Sequence, residues 1–173
     1  MQGTKKGNVF WVMGLPGSGK TTVGTKLYEY LKKKNDATVL FDGDVLRDIY
    51  QFKDYSEEGR KKVSKITGRL IKLLTDQGMD VVGCFVSVNK DIRSWNRANL
   101  DNLKEIYLKV DVDELIKRDQ KGLYSRALKG EIDNVIGINV PFEEPTGVDY
   151  IVENYGDCSP DESVKKIIDY FNL

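Results

Sequence analysis

The chain has no histidine among its 173 residues. That absence removes Ser-His-Asp and Cys-His nucleophilic chemistry, and any zinc site built on imidazole. Cysteine is scarce as well. Cys84 and Cys158 lie far apart and form no CxxC pair, which excludes a disulfide scaffold and suits a reducing, cytoplasmic setting. Cys84 sits inside the apolar run VVGCFVSV and reads as a buried core residue. Neither sign of charge is in excess: 27 Lys and Arg balance 27 Asp and Glu, for a net charge of zero. A general nucleic-acid binder would be basic, so no nucleic-acid partner is expected. Apolar runs stop at about eight residues, well short of the ~20 that span a bilayer, so no membrane role is expected either. The opening MQGTKKGNVFWVMG has two lysines and a short apolar stretch but no small-residue cleavage site. It reads as a first strand and not as a signal peptide.

What is present describes an ordered protein. Nine Tyr, six Phe and two Trp are too many for a disordered tail, and the length suits one domain over 1–173. Five apolar stretches read as buried strands: 8–13, 37–42, 80–87, 105–111 and 149–154. Their near-continuous hydrophobicity favours a parallel sheet covered on both faces. Between them lie helical patterns. Val23, Leu27 and Leu31 fall on one face of 20–34; Val63, Ile66, Leu70, Leu73 and Leu74 do so in 56–77; DELIKRDQ is a shorter helix that begins at an acidic turn. Ser159, Pro160 and Glu162 spell a capping box at the start of the last helix. Alternating strands and helices predict an α/β fold of three layers, α/β/α, around a mostly parallel five-stranded sheet. The stretch 118–147 has mixed charges, glycines, two prolines and no clean period. It reads as a lid, or else as a poorly patterned helix followed by a surface loop.

The most specific local signal is GLPGSGKTT, Gly14 to Thr22, after the apolar NVFWVM. It matches G-x-x-x-x-G-K-[ST] in the required context of a strand before and a helix after. A polyphosphate is wrapped by backbone N–H groups, so side chains must be absent at the closest approaches; Gly14, Gly17 and Gly19 meet that need. Leu15, Pro16, Ser18 and Thr22 complete the cradle. The following helix points its positive end at the anion. Lys20 reaches the β- and γ-phosphates, and the Thr21 hydroxyl ligates Mg²⁺. A nucleoside triphosphate and Mg²⁺ are therefore expected. A GTPase is rejected: in VNKDI the position that should hold the guanine-reading Asp is Ile92, and DQKG (119–122) follows a helix where a strand is required. At this size a small-molecule kinase is the natural reading.

The second strand ends in LFDGDVLRD. Asp42 and Asp44 are two apart, so if the extended form continues they point the same way. Beside a phosphate loop such a pair can hold Mg²⁺ through water and accept the proton of an attacking hydroxyl. Arg47 follows within reach. An Asp-Gly turn with solvated ends is the plainer alternative.

With these segments the chain resembles the adenylylsulfate kinases, P-loop kinases that phosphorylate the ribose 3′-hydroxyl of adenylyl sulfate with MgATP. The similarity runs nearly end to end: GLPGSGKTT, DGD with Arg47, YSEEGR (55–60), FVS (85–87), KRDQKGLYSRALKGEI (117–132), GINVPFEEP (137–145) and VDYIVEN. It implies that Gly14 to Thr22 cradle ATP, and that Asp42 and Asp44 serve magnesium and the acceptor hydroxyl, in either order. It implies that Arg47 and Arg60 bind the acceptor's anionic groups, and that Arg118 and Lys121 are lid cations near the transferring phosphate. Tyr55, Phe85, Val86, Leu123, Val135 and Ile136 fall at acceptor-binding positions. Ser87 falls at the family's serine after the third strand, which has been treated as a phosphate carrier. A homodimer stays open.

The departures from the family pattern cluster on the acceptor side. Val45 replaces an Asn, Tyr55 a Phe, Gly59 an Asp, Lys62 a Glu, Val63 an Asn, Lys90 an Arg, Val135 a Phe, Ile136 a Thr and Asn139 an Asp. In the family two aromatics sandwich the acceptor's adenine; here Tyr55 can still stack and Val135 cannot. Losing one stacking platform matters at roughly 1–3 kcal/mol per base. The remaining Arg and Asp residues still suit a nucleotide-like anion with a ribose hydroxyl. A pyrimidine needs less stacking area, and family relatives of this kind phosphorylate cytidine diphosphoramidate in bacterial capsule modification. The expected acceptor is that nucleotide, with adenylyl sulfate as the alternative. A sugar-acid kinase and a catalytically inactive nucleotide-binding module are the rival readings. The KGLY and PFEEP segments speak against the first, and intact Lys20, Thr21, Asp42 and Asp44 against the second.

Overall fold

All five residues of β1 (Val9–Met13) are buried, because the strand lies in the middle of the sheet with helices on both of its faces. The computed structural model describes residues 5–86, 89–156 and 158–173. β1 pairs with β3 (Asp80–Phe85) on one side and β4 (Leu103–Lys109) on the other. β2 (Thr38–Asp42) and β5 (Tyr150–Glu153) complete the order β2-β3-β1-β4-β5, with every pairing parallel. Four of the strands stand where the apolar runs predict them, trimmed by a residue or two at their ends, while β4 is displaced, starting and ending two residues before the predicted 105–111.

Side chains alternate across the strand, so β1 feeds two cores. Phe10 and Val12 face Val23, Leu27 and Leu31 of α1 (Lys20–Lys32) and Val164 and Ile167 of α7 (Pro160–Phe171). Val9, Trp11 and Met13 face Leu46 of α2 (Gly43–Ile49) and Ile71 of α3 (Glu57–Asp76). The result is the expected three-layer α/β/α arrangement. A third cluster joins Leu15, Val110, Leu115, Tyr124, Ala127, Val135 and Ile136 at the carboxyl ends of the strands. There α5 (Val112–Arg118) and α6 (Leu123–Leu128) sit beside the phosphate loop. No described helix is long and apolar enough to cross a membrane.

The capping box of the last helix forms as predicted, with Ser159 and Glu162 exchanging backbone bonds around Pro160. Three helical features differ from expectation. In α3 the buried stripe is Val63, Thr67, Ile71 and Thr75, whereas Ile66 and Leu73 face solvent; two apolar stripes compete on this helix, and the one continuous with Trp11 turns inward. α2 begins at Gly43, where the sequence suggested continued strand. α4 (Lys90–Asn99) has an almost wholly polar sequence that hides it. It is started by Asn89, whose side chain accepts from the N–H groups of Asp91 and Ile92. It is held by a buried ion cluster: Arg93 donates twice to Glu105 at 3.0 Å, and Arg97 joins the same carboxylate. The two arginines also donate to the carbonyls of Thr146 and Gly147, fixing the chain ahead of β5.

The approach of α1 to β3 is set by a missing side chain. A Cβ on Gly24 would fall on the Cys84 sulfur, while the next nearest atoms, Cys84 Cβ and Val82 Cγ1, are 3.8 Å away. Gly24→Ala is therefore expected to lower stability by about 1–3 kcal/mol through overpacking. Adding Cys84→Ala should recover most of the loss, because only the sulfur obstructs. Urea unfolding of the two single variants and the double variant measures the coupling.

Candidate functional site

β1 leads directly into the glycine-rich turn, and α1 leads out of it. Gly17 and Gly19 take φ of 77° and 89°, the left-handed region where a side chain is strained. Gly19 caps α1 with no side-chain bond, and the first turn of that helix holds no acidic residue. Apart from Ser18 N, which donates to Leu15 O, the N–H groups around Gly17, Gly19 and the start of the helix are left for an anion, as the loop sequence predicts.

The carbonyls of the loop are tied outward. Leu15 O accepts from Ser18 N at 3.1 Å and from Lys20 Nζ at 2.7 Å. Pro16 O accepts from the hydroxyl of fully buried Tyr124 at 2.7 Å. Ser18 O accepts from Asn154 Nδ2 at 2.7 Å. Lys20 is 9% exposed. Burial pushes its ammonium down to about 8, with the negative charges of Asp42 and Asp44 offsetting part of the effect. A cation held this far out of water is poised for an anionic ligand.

Asp42 and Asp44 do not share an extended strand face. The strand ends at Asp42, which instead caps α2: its Oδ1 accepts from the N–H of Asp44 at 2.9 Å and of Val45 at 3.4 Å. Its Oδ2 accepts from Thr21 Oγ1 at 2.7 Å. Asp44 stands in the first turn of α2. The pair still converges on the loop, since both charges act on Lys20. A short helix achieves what strand alternation was expected to do. Thr21, Asp42 and Asp44 offer hydroxyl and carboxylate oxygens, the donor set that suits Mg²⁺. Among the described residues no group of three or more His, Cys, Asp or Glu forms a metal cage.

The structure collects Arg47, Tyr55 and Arg60, which the sequence reading assigns to the acceptor. Arg47 donates to the carbonyls of Phe52 and Asp54, at 3.4 and 2.8 Å, and its guanidinium lies 4.4 Å from the centre of the Tyr55 ring. One face of Tyr55 is therefore covered by a cation, and the residue is 48% exposed. Arg60 donates to the carbonyl of Asn134. Burial, then the neighbouring Arg47 charge, lowers its pKa, so two cations are crowded where an anion would relieve both. At position 59 a Cβ would come within 2.5 Å of Asp54 Cγ; the space of a side chain there is taken by the Asp54 carboxylate.

Three expected acceptor contacts are buried packing residues in this structure. Val135 and Ile136 belong to the cluster of Leu15 and Leu115, because the segment after α6 folds back on the phosphate loop. Phe85 packs against Trp11, ring centres 4.5 Å apart. Val86 and Leu123 are partly buried against the same cluster as Val135. Ser87 lies outside the described residues. Arg118 pairs with Glu114 at 3.1 Å and donates to Asn154 O at 3.1 Å. Lys121 takes a φ of 58° in a tight turn at 120–122.

Tyr124 and Asn154 also reach the phosphate loop, and sequence reasoning did not single them out. Both lie in segments that carry the family resemblance, KGLY and VDYIVEN. Nothing in those segments announces that their polar tips end on carbonyls of the phosphate loop.

The sequence pattern of the adenylylsulphate kinases matches residues 6–153. A cytidine diphosphoramidate kinase of Campylobacter jejuni is 42% identical over 160 residues, covering 92% of this chain and 94% of that protein. A probable adenylyl-sulfate kinase of Aeropyrum pernix is 37% identical over 154 residues, covering 86% and 84%. Among solved structures, the APS kinase of Mycobacterium tuberculosis in complex with AMPPNP and APS superposes with a TM-score of 0.89. It is 28% identical, with 97% of this chain and 99% of that one covered. A gluconokinase of Sinorhizobium meliloti, at 19% identity and a TM-score of 0.68, shares the fold. A central parallel sheet, a phosphate loop on its first strand and a match over most of the length agree: the chain belongs to the adenylylsulphate kinase family and is a phosphotransferase.

Proposed function

We propose that this kinase transfers the γ-phosphoryl group of ATP to the ribose 3′-hydroxyl of a small cytidine nucleotide of the cytidine diphosphoramidate kind. The observation that carries the reading is the contrast between the two halves of the site. The donor loop keeps every group that phosphate binding needs. The acceptor half has a buried Val135 where the family has an aromatic, and an Asp54 carboxylate filling the space over Gly59. One open face of Tyr55 is enough for a pyrimidine and poor for a purine. The likeness to the Campylobacter enzyme supports the same acceptor.

In this reading the N–H groups that the loop 14–22 leaves free, those of Gly17 and Gly19 among them, hold the triphosphate, and Lys20 leaves Leu15 O for the γ-phosphate. Thr21 and Asp42 would hold Mg²⁺, which when bound neutralises charge on the β- and γ-oxygens. Asp44 accepts the proton of the attacking hydroxyl, and Arg47 and Arg60 grip the acceptor's anionic tail. The segment 118–147 serves as a lid that brings Arg118 and Lys121 toward the moving phosphoryl group. Ser87 is a substrate contact, since direct transfer needs positioning and charge neutralisation and no carrier. The second reading, adenylyl sulfate as acceptor, is favoured by the retained arginine pair and by the adenylyl-sulfate kinases among the relatives.

The acceptor is tested by comparing kcat/KM for cytidine diphosphoramidate and adenylyl sulfate in a coupled ADP assay. The cytidine nucleotide is expected to be the better substrate. A preference of about tenfold or more for adenylyl sulfate in the parent protein would establish the second reading instead.

Lys20 gives a prediction that joins activity to stability. Its pKa in the folded protein, about 8, lies below the ordinary 10.5, so folding disfavours its ammonium form. The penalty is present in full below about pH 8 and fades as pH rises toward 10.5, where the group is neutral folded or unfolded. Lys20→Met removes it. The variant is expected to be more stable than the parent at neutral pH, by on the order of 2–3 kcal/mol, with the gap closing above pH 8. Phosphoryl transfer should fall by about 100-fold or more, since a charge on the developing transition state is lost. Urea midpoints across pH and single-turnover rates measure the two effects.

A further inference from the structure

Asn154 follows β5 and is buried, yet its amide makes two side-chain bonds that lead in opposite directions. Its Oδ1 accepts from Ser163 Oγ of α7 at 2.7 Å, which sets the orientation of the amide. Its Nδ2 is thereby turned to Ser18 O, 2.7 Å away. A Cβ on Gly19 would stand 2.7 Å from that nitrogen, so the space over Gly19 is occupied by Asn154.

A peptide group is planar and trans, so the carbonyl of one residue and the N–H of the next point in opposite directions. Drawing Ser18 O outward therefore aims the N–H of Gly19 inward, at the position of the anion. Without the bond, the Ser18–Gly19 peptide could rotate at a glycine with φ of 89° and present a carbonyl oxygen to a phosphate. Tyr124 does the same for the next link: it holds Pro16 O and so aims the N–H of Gly17. Asn154 differs in having a second task. Its own carbonyl accepts from Arg118 Nη2 at 3.1 Å, so the start of the 118–147 segment and the phosphate loop are fastened to one residue.

We infer that Asn154 is a positioning residue of the donor site, which presets the Gly19 N–H toward the polyphosphate and is itself oriented by Ser163. This rests on the reading of the loop as the seat of ATP.

The test measures binding of inorganic tripolyphosphate and of ATP by calorimetry, with steady-state KM for ATP and for the acceptor, and thermal unfolding as a control. The proteins are the parent, Asn154→Leu and Ser163→Ala. Asn154→Leu keeps the volume, adds no charge and cannot donate. Tripolyphosphate and ATP are expected to bind it about tenfold more weakly or worse, with the acceptor KM unchanged. Ser163→Ala keeps the donor but frees the amide to turn, and a loss of about threefold is expected. Parent-like tripolyphosphate binding by both folded variants would overturn the inference. So would a loss matched by an equal rise in the acceptor KM, the mark of a merely structural residue. If Asn154→Leu does not fold, Ser163→Ala decides by the same criteria. If the parent binds neither tripolyphosphate nor ATP, the donor reading fails and the inference falls with it.

Discussion

A polyphosphate can be held by backbone N–H groups only where no side chain intervenes and where the carbonyls of the same peptides point away. The rest of this structure serves that constraint. The loop must be anchored at both ends, so it joins a fully buried central strand to a helix packed tightly enough that Gly24 touches the Cys84 sulfur. Its carbonyls must be engaged, and three side chains reach them: Lys20, from within the loop, at Leu15, and Tyr124 and Asn154, from distant parts of the chain, at Pro16 and Ser18. A cation must wait at the site before the anion arrives, and Lys20 is buried there, its pKa lowered to about 8 by that burial. Such a local penalty belongs to a binding site, since function and stability ask different things of one side chain.

The two halves of the site are held by different means. The donor half is backbone, and its geometry follows from the fold. The acceptor half consists of side chains from α2, α3 and the turn between them, positioned by one another: Arg47 lies against Tyr55 and on the carbonyl of Asp54, and Arg60 on the carbonyl of Asn134. A backbone cradle tolerates little change, while a cluster of side chains can be exchanged residue by residue on an unaltered frame. One fold hosts different activities through the side chains attached to it.

Much of the fold was legible in the sequence because its strands are buried on both faces, and a doubly covered strand shows as an unbroken apolar run. The phosphate loop was legible because its glycines and Lys20 have no substitutes. The last helix was legible because its cap uses three residues at fixed spacing. What escaped has physical reasons. The buried surface of α4 is largely Arg93 and Asn96, so no apolar period marks it. α3 carries two apolar stripes, and only the neighbouring Trp11 and Ile71 decide which is inward. Asp42 and Asp44 were placed at the site for the wrong reason, because an Asp that ends a strand can equally start a helix. Tyr124 and Asn154 act by hydrogen bonds to carbonyls more than a hundred residues away in the chain, and no local pattern records such a bond.

The central claim is that the loop is already in its binding form, with N–H groups inward and carbonyls tied outward. The measurement that tests it most directly is a crystal structure of the protein with a non-hydrolysable ATP analogue and Mg²⁺. The account predicts that the backbone of residues 14–21 and the Ser18–Asn154 and Pro16–Tyr124 bonds are unchanged, and that Lys20 Nζ alone moves, from Leu15 O to the phosphate. A loop that rearranged on binding, with the Ser18 carbonyl released from Asn154 or Lys20 still on Leu15, would contradict it.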